Sequence, residues 1–117
     1  MDRTVQLNDK EYIIKGRKLF PKKSFLPYEC STPFSVARKF ICPKQVNDTV
    51  RIFFDGEYEI KEVYADNVLL VPEKGENGKI MYDVTAALKR GKTYICAYFL
   101  KGSVTGFFFD VKRNYGK

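Results

Sequence analysis

The chain has 117 residues and a formal net charge of +7, from 21 basic and 14 acidic residues, and this length fits a single domain. Apolar residues make up 44% of the chain and charged residues 30%, an ordinary globular mixture that excludes a disordered or fibrous protein. Histidine is absent, which excludes Ser-His-Asp and Cys-His catalysis and zinc sites built on histidine.

The first half of the chain predicts short strands separated by an irregular connection. Residues 11–15 are rich in β-forming side chains and end at a glycine, whereas residues 18–33 contain three prolines and predict a long packed connection. Residues 36–42 form a strand candidate that stops at Pro43. Residues 50–55 alternate between two faces, and we expect this strand to end at Gly56.

The middle of the chain predicts a hairpin followed by a loop. Residues 60–65 and 68–71 read as two short strands, and Asp66-Asn67 between them favours a tight turn. Residues 72–79 are rich in glycine, proline and charged residues and predict a loop. Residues 80–83 then predict another short strand.

The last part of the chain predicts one helical turn and two strands. Residues 85–89 suit a single turn of helix, capped by Asp83 or Thr85 and stopped by Gly91. Residues 93–100 give the strongest strand pattern, residues 101–103 predict a turn, and residues 106–113 predict the final strand. Eight or nine short strands with one helical turn indicate an all-β, antiparallel β-sandwich that forms one domain over residues 1–117.

Five stretches, in order, resemble motifs of one protein family. They are residues 38–43 (RKFICP), 50–56 (VRIFFDG), 63–67 (VYADN), 82–91 (YDVTAALKRG) and 106–111 (GFFFDV). Together they resemble the N-terminal sugar-binding domain of family-two glycoside hydrolases, the β-galactosidases and β-glucuronidases. In the last stretch, Phe109 stands where that family usually has an arginine. The resemblance implies a jelly-roll sandwich of the galactose-binding-like kind, with its core in residues 36–113 and an irregular, basic, aromatic segment in residues 1–35.

The same resemblance implies a non-catalytic binding module, because the chain has no barrel domain to carry the pair of glutamates used by retaining glycosidases. A sugar would stack on a tyrosine, since tryptophan is absent, and polar side chains would bind its hydroxyls. The candidate ligand-binding residues are Tyr28, Arg38, Asp55, Tyr58, Tyr64, Asp66 and Asn67. No catalytic residue is predicted, and the chain is expected not to be an enzyme.

The charge distribution supports an alternative function. Residues 55–83 hold eight of the fourteen acidic residues and only three lysines, so the rest of the chain is strongly basic. Such asymmetry can steer a protein to a partner surface. A stand-alone inhibitor or adaptor would then use the basic candidates Lys15, Arg17, Lys18, Lys22 and Lys23. Direct nucleic-acid binding is a third alternative, since Phe20 and Phe25 lie among these basic residues.

The remaining residues predict no cofactor. Cys42 and Cys96 lie among apolar residues and are expected to be buried free thiols, while Cys30 lies in a polar stretch and could be exposed, with nothing nearby in the sequence to lower its pKa. The acidic residues 55–66 could supply ligands for a structural calcium ion, but they lack a DxDxDG loop and favour solvated surface. No membrane segment or signal peptide is apparent, so a native N-terminus would indicate a cytoplasmic protein without a membrane partner.

Overall fold

The computed structural model describes residues 3–16, 20–41, 47–75, 78–90 and 92–113. The strands are β1 (Arg3–Gln6), β2 (Tyr12–Gly16), β3 (Lys22–Ser24), β4 (Tyr28–Cys30), β5 (Phe34–Ile41), β6 (Asp48–Ala65), β7 (Val68–Leu69), β8 (Pro72–Lys74), β9 (Ile80–Asp83) and β10 (Lys92–Arg113). A 3₁₀ turn, Ala87–Arg90, precedes β10. All strand pairs are antiparallel, which confirms the predicted all-β, antiparallel class.

Two long strands, β6 and β10, run through both layers of the sandwich. The first half of β10 pairs with β5 on one side and with the second half of β6 on the other, and β2, β3 and β7 extend this first layer. The second half of β10 pairs with β1 and with the first half of β6, and β9 and β8 extend this second layer. One continuous sheet therefore folds over on itself.

Aromatic rings join the two layers in the core. Phe40 of the first layer contacts Phe107 and Phe109 of the second layer, with ring centroids 4.8 and 5.3 Å apart. Tyr12 of the first layer stacks on Phe107 at 6.0 Å. Such ring pairs contribute about 0.5–1.5 kcal/mol each beyond the area they bury. The core is thus built from alternate residues of both long strands, as the strand period requires.

The long strands stay paired across the junction of the layers because glycines allow bulges there. Gly56 and Gly102 have φ angles of +132° and +124°, a region that side chains rarely adopt. The β6–β10 register shifts beside them, between Tyr98 and Phe99, between Phe99 and Lys101, and between Val104 and Gly106. These bulges bend the strands without ending them.

This geometry corrects several predictions. Gly56 does not end its strand, and residues 101–103 do not form a turn, because bulged pairing continues through both positions. Residues 72–79 were expected to be a loop, but Pro72–Lys74 pairs with Ile80–Tyr82. The segment 1–35 contributes strands β1 to β4 and the start of β5, and β3 and β4 lie within the predicted irregular connection. Short edge strands have too few residues to display an alternating pattern, so the sequence did not predict them.

Two local predictions are confirmed. Asp66 and Asn67 form the turn between β6 and β7 with φ angles of 48° and 67°, as expected for a two-residue hairpin turn of type I′. The helical turn occurs close to its predicted position, at Ala87–Arg90. The backbone N–H of Thr85 donates to Oδ1 of Asp83 at 2.8 Å, so Asp83 closes the approach to the turn. Gly91, the predicted stop, lies outside the described residues.

Candidate functional site

A groove of about 480 Å³ crosses the outer face of the first layer. Its floor is low because β5 presents the small side chains of Ser35 and Ala37 there, opposite Tyr98 and Cys96 of β10. Tyr94 and Tyr98 lie on the same face of β10, two residues to either side of Cys96, and line the groove. We call this surface the tyrosine groove.

Three tyrosines give the groove flat, partly exposed rings. Tyr94 is 37% exposed and Tyr98 is 43% exposed. Tyr64 of β6 meets Tyr98 edge to face, with ring centroids 5.7 Å apart at 89°. The pKa of Tyr98 is raised, chiefly by a hydrogen bond with the Cys96 side chain, and burial raises the pKa of Tyr94. The phenols therefore keep their protons at neutral pH.

Polar groups of both kinds border these rings. Lys15 of β2 supplies an exposed ammonium donor beside Ser35, and Asn67 supplies an amide at the hairpin turn. Glu62 supplies a carboxylate that hydrogen-bonds the Tyr64 side chain; desolvation and this carboxylate raise the pKa of Tyr64. The groove thus combines aromatic faces with donors and acceptors, the usual composition of a site for a polar organic ligand.

The groove continues into a second cleft of about 600 Å³, because Asn67 and Tyr94 line both. The lysine cleft, as we name it, is also lined by Lys39, Lys92 and Thr93. Thr93 is buried, and its Oγ1 has no hydrogen-bond partner among the described residues. Thr93 shares the inner face of β10 with the buried residues Ile95 and Ala97, so its side chain points toward the core and only its backbone borders the cleft.

The predicted ligand-binding residues do not converge on one place. Tyr64 and Asn67 lie in the tyrosine groove. Asp66 borders the lysine cleft, but its Oδ1 accepts the backbone N–H of Tyr94 at 2.9 Å and so anchors the hairpin. Asp55 lies on the second layer, where it pairs with Lys79.

The other three candidates make internal contacts. The hydroxyl of Tyr58 donates to the Phe54 carbonyl at 2.9 Å, and burial raises the pKa of Tyr58 to about 12. Tyr28 packs edge-on against Phe34 at 5.1 Å. Nη1 of Arg38 donates to the Leu7 carbonyl at 3.2 Å, and its guanidinium covers the core rings of Tyr12 and Phe40 at 5.4 and 4.7 Å.

Two of the groove tyrosines, Tyr94 and Tyr98, were not among the predicted site residues. The available signal was the period of two in residues 93–100, which places both rings and Cys96 on one face. Cys96, expected to be buried, is half-buried on this outer face, and desolvation raises the pKa of its thiol. Cys42 lies outside the described residues.

Cys30 lies in a separate cleft of about 400 Å³ at the junction of the layers. A hydrogen bond with the Thr32 hydroxyl, 3.2 Å from Sγ, lowers the pKa of this thiol, contrary to the prediction that nothing nearby would do so. The cleft is also lined by Glu29, Glu57 and Glu59, and their negative charges oppose an anionic ligand.

The predicted basic surface lies along the edge of the first layer. Lys22 and Lys23 are exposed on β3, which pairs with β2, and Nζ of Lys22 lies 5.4 Å from the centre of the Tyr28 ring. Phe20 and Phe25 flank this strand and are 92% and 53% exposed. Of the other three predicted basic residues, Lys15 lies on β2 and lines the tyrosine groove, whereas Arg17 and Lys18 lie outside the described residues.

Neither a metal site nor a membrane-spanning helix is found in the described part of the chain. No three histidine, cysteine or acidic side chains among these residues lie close enough together to hold a metal ion. No helix there has the length and apolar character needed to cross a membrane.

Comparison with solved structures finds the same fold in larger proteins. An FMN-binding β-glucuronidase from Faecalibacterium prausnitzii L2-6 matches with a TM-score of 0.81 at 13% identity, over 97% of this chain and 23% of that one. A putative β-galactosidase from Bacteroides fragilis matches with a TM-score of 0.73 at 13% identity, over 96% of this chain and 23% of that one. A glycosyl hydrolase family 2 member from Bacteroides cellulosilyticus DSM 14838 matches with a TM-score of 0.71 at 9% identity, over 95% and 21%.

These matches confirm the resemblance at the level of the fold. This chain spans less than a quarter of the length of each of the three proteins. No protein-family model matches the chain, and no curated protein matches it.

Proposed function

We propose that the chain is a carbohydrate-binding module and that the tyrosine groove is its binding site. The observation that carries the proposal is the exposure of Tyr94 and Tyr98 above the small side chains of Ser35 and Ala37. A flat apolar sugar face fits against such rings, and the low floor leaves room for it. The fold shared with sugar-processing enzymes supports the proposal without carrying it.

Hydrogen bonds would orient the sugar on the rings. Lys15 and Asn67 can donate to hydroxyl oxygens, and Glu62 can accept from hydroxyl hydrogens. Among the described residues that line the groove, Glu62 is the one carboxylate. Glycoside hydrolysis needs two carboxyl groups flanking the scissile bond, so the proposed role is binding without cleavage.

Affinity electrophoresis tests this function against soluble neutral and acidic polysaccharides. Calorimetry then measures the affinity for oligosaccharides of the polysaccharide that binds best. Tyr94→Ala and Tyr98→Ala should each weaken binding by about 2- to 12-fold, the factor that corresponds to 0.5–1.5 kcal/mol for an aromatic contact. Phe25→Ala is the matched control, because that exposed ring lies outside the groove. Binding that is unchanged in both tyrosine variants, or no binding to any polysaccharide, would overturn the proposal.

A second candidate function is recognition of an acidic protein surface by the β3 edge. The exposed phenylalanines beside Lys22 and Lys23 favour it, since aromatic and basic side chains are common at protein interfaces. The test is retention of one protein in stoichiometric amount by the chain but not by a Lys22→Glu, Lys23→Glu variant. Retained material that is lost on nuclease treatment would instead favour nucleic-acid binding.

A further inference from the structure

Lysines surround the tyrosine groove on several strands. On the outer face of the first layer, Lys15 lies opposite Ser35, and Lys23 lies opposite Ile13. Lys39 lies opposite Tyr94, and Lys92 lies on β10 two residues before Tyr94. All four side chains are exposed. Since Ser35 and Lys39 are four residues apart on β5, Lys15 and Lys39 are separated by about 13 Å along the groove.

The positive charge of these lysines is not offset by ion pairs. Within the described ranges, none of the four has a carboxylate within salt-bridge distance. Among the residues that line the groove and the cleft, the lysines Lys15, Lys39 and Lys92 outnumber the carboxylates Glu62 and Asp66. Like charges gathered around one concave surface attract an anion and raise its local concentration.

The groove therefore combines exposed aromatic rings with ammonium groups spaced along it. Aromatic faces favour a ring with an apolar side, whereas ammonium groups spaced along the groove favour several negative charges on one ligand. Lys39 and Lys92 border the lysine cleft and add two ammonium groups beside Tyr94. A ring-containing chain with repeated acidic groups satisfies all of these positions at once.

We propose that the tyrosine groove and the lysine cleft together select an acidic oligosaccharide, one whose sugar rings carry carboxylate or sulfate groups. This inference rests on the proposed carbohydrate-binding function and adds the class of sugar. The tyrosines hold the rings, and Lys15 at one end and Lys39 with Lys92 at the other hold the acidic groups.

Calorimetry with matched oligosaccharides tests the selection. The probes are an oligogalactoside and an oligogalacturonate of equal length, together with an unsulfated and a sulfated chondroitin oligosaccharide. We expect each acidic member to bind at least about fivefold more tightly than its neutral or less charged counterpart at low salt. The preference should shrink at high salt, because the Debye length falls from about 10 Å at 0.1 M to about 3 Å at 1 M. If only one of these two pairs of probes shows a preference, that pair identifies whether carboxylate or sulfate is the group recognised.

A pair of double variants assigns the preference to the lysines. Lys39→Gln with Lys92→Gln should weaken the acidic ligand by about 2- to 30-fold, the factor for two exposed ion pairs of 0.2–1 kcal/mol each, and leave the neutral ligand unchanged. The control is Lys74→Gln with Lys112→Gln, which removes the same charge from the second layer. It should leave both affinities unchanged.

The outcomes separate this inference from the proposed function. Equal binding of neutral and acidic sugars, both lost in Tyr94→Ala and Tyr98→Ala, overturns the selection for acidic sugars and leaves carbohydrate binding intact. Equal loss of acidic-sugar binding in the two lysine double variants also overturns it, because net charge alone would then explain the preference. A single-stranded oligonucleotide that binds more tightly than every sugar overturns both proposals in favour of nucleic acid.

Discussion

Substitution of Gly102 by alanine should destabilise the domain more than an ordinary surface change. Its φ of +124° is strained for any other residue, and an added Cβ would overlap the Glu57 carbonyl oxygen and the Cα of Tyr58. The backbone conformation costs about 1–3 kcal/mol, and forcing the neighbouring strand away costs about 1–3 kcal/mol more. We expect a loss of about 4 kcal/mol, because these overlapping atoms are backbone and cannot rotate aside.

Urea denaturation followed by circular dichroism measures this loss. With an m-value of about 2 kcal/mol per molar urea, the midpoint should fall by about 2 M. Gly78→Ala is the matched control, since Gly78 also has a positive φ, +75°, but an added Cβ there meets no atom within 4 Å. That variant should lose only about 1–2 kcal/mol from backbone strain. Equal losses in the two variants would refute the reasoning that the close approach of β6 and β10 makes Gly102 necessary.

Three further predictions concern charged and titratable side chains. Arg38→Ala should lower the urea midpoint by about 1 M, because removing its hydrogen bond to a carbonyl and its cover over two core rings costs about 2 kcal/mol. The free energy of unfolding should fall as pH rises from about 10 toward 12. The reason is that burial raises the pKa of Tyr58 to about 12, so the folded state holds this proton more tightly than the unfolded state does. Urea titration at several pH values should show a shallower decline in Tyr58→Phe. Iodoacetamide at neutral pH should modify Cys30 before Cys96, since the pKa of the Cys30 thiol is lowered and that of the Cys96 thiol is raised. Peptide mass mapping measures the order of modification, and the reverse order would contradict this reasoning.

Local patterns in the sequence were sufficient to predict the class of fold. The alternation in residues 50–55 placed Val50, Ile52 and Phe54 on one face, and all three are buried. The Asp66-Asn67 pair was sufficient to predict its hairpin, because few residues adopt two consecutive positive φ angles. The ends of the long strands were not predictable in this way, since a glycine that ends a strand and a glycine that permits a bulge look alike in sequence.

The candidate site was less accessible to sequence reasoning for a different reason. Tyr64 and Asn67 could be proposed because the hairpin brings them to a surface. The groove itself depends on Ser35 and Ala37 lying opposite Tyr98 and Cys96, residues about 60 positions away in the chain. Pairing between strands so distant in sequence is set by the whole fold, and no local pattern of residues reveals it.

The two strands shared by both layers have a consequence for how the domain unfolds. Each half of β10 pairs with a different half of β6, so the same two strands supply the central pair of both layers and link them covalently. We expect one cooperative transition, with amide hydrogens at the centre of both layers exchanging at similar rates. Tyr94 and Tyr98 of the tyrosine groove belong to the same strand, β10, as the core residues Phe107 and Phe109. The rings are thus held in place before any ligand arrives, and binding would require little ordering of the protein.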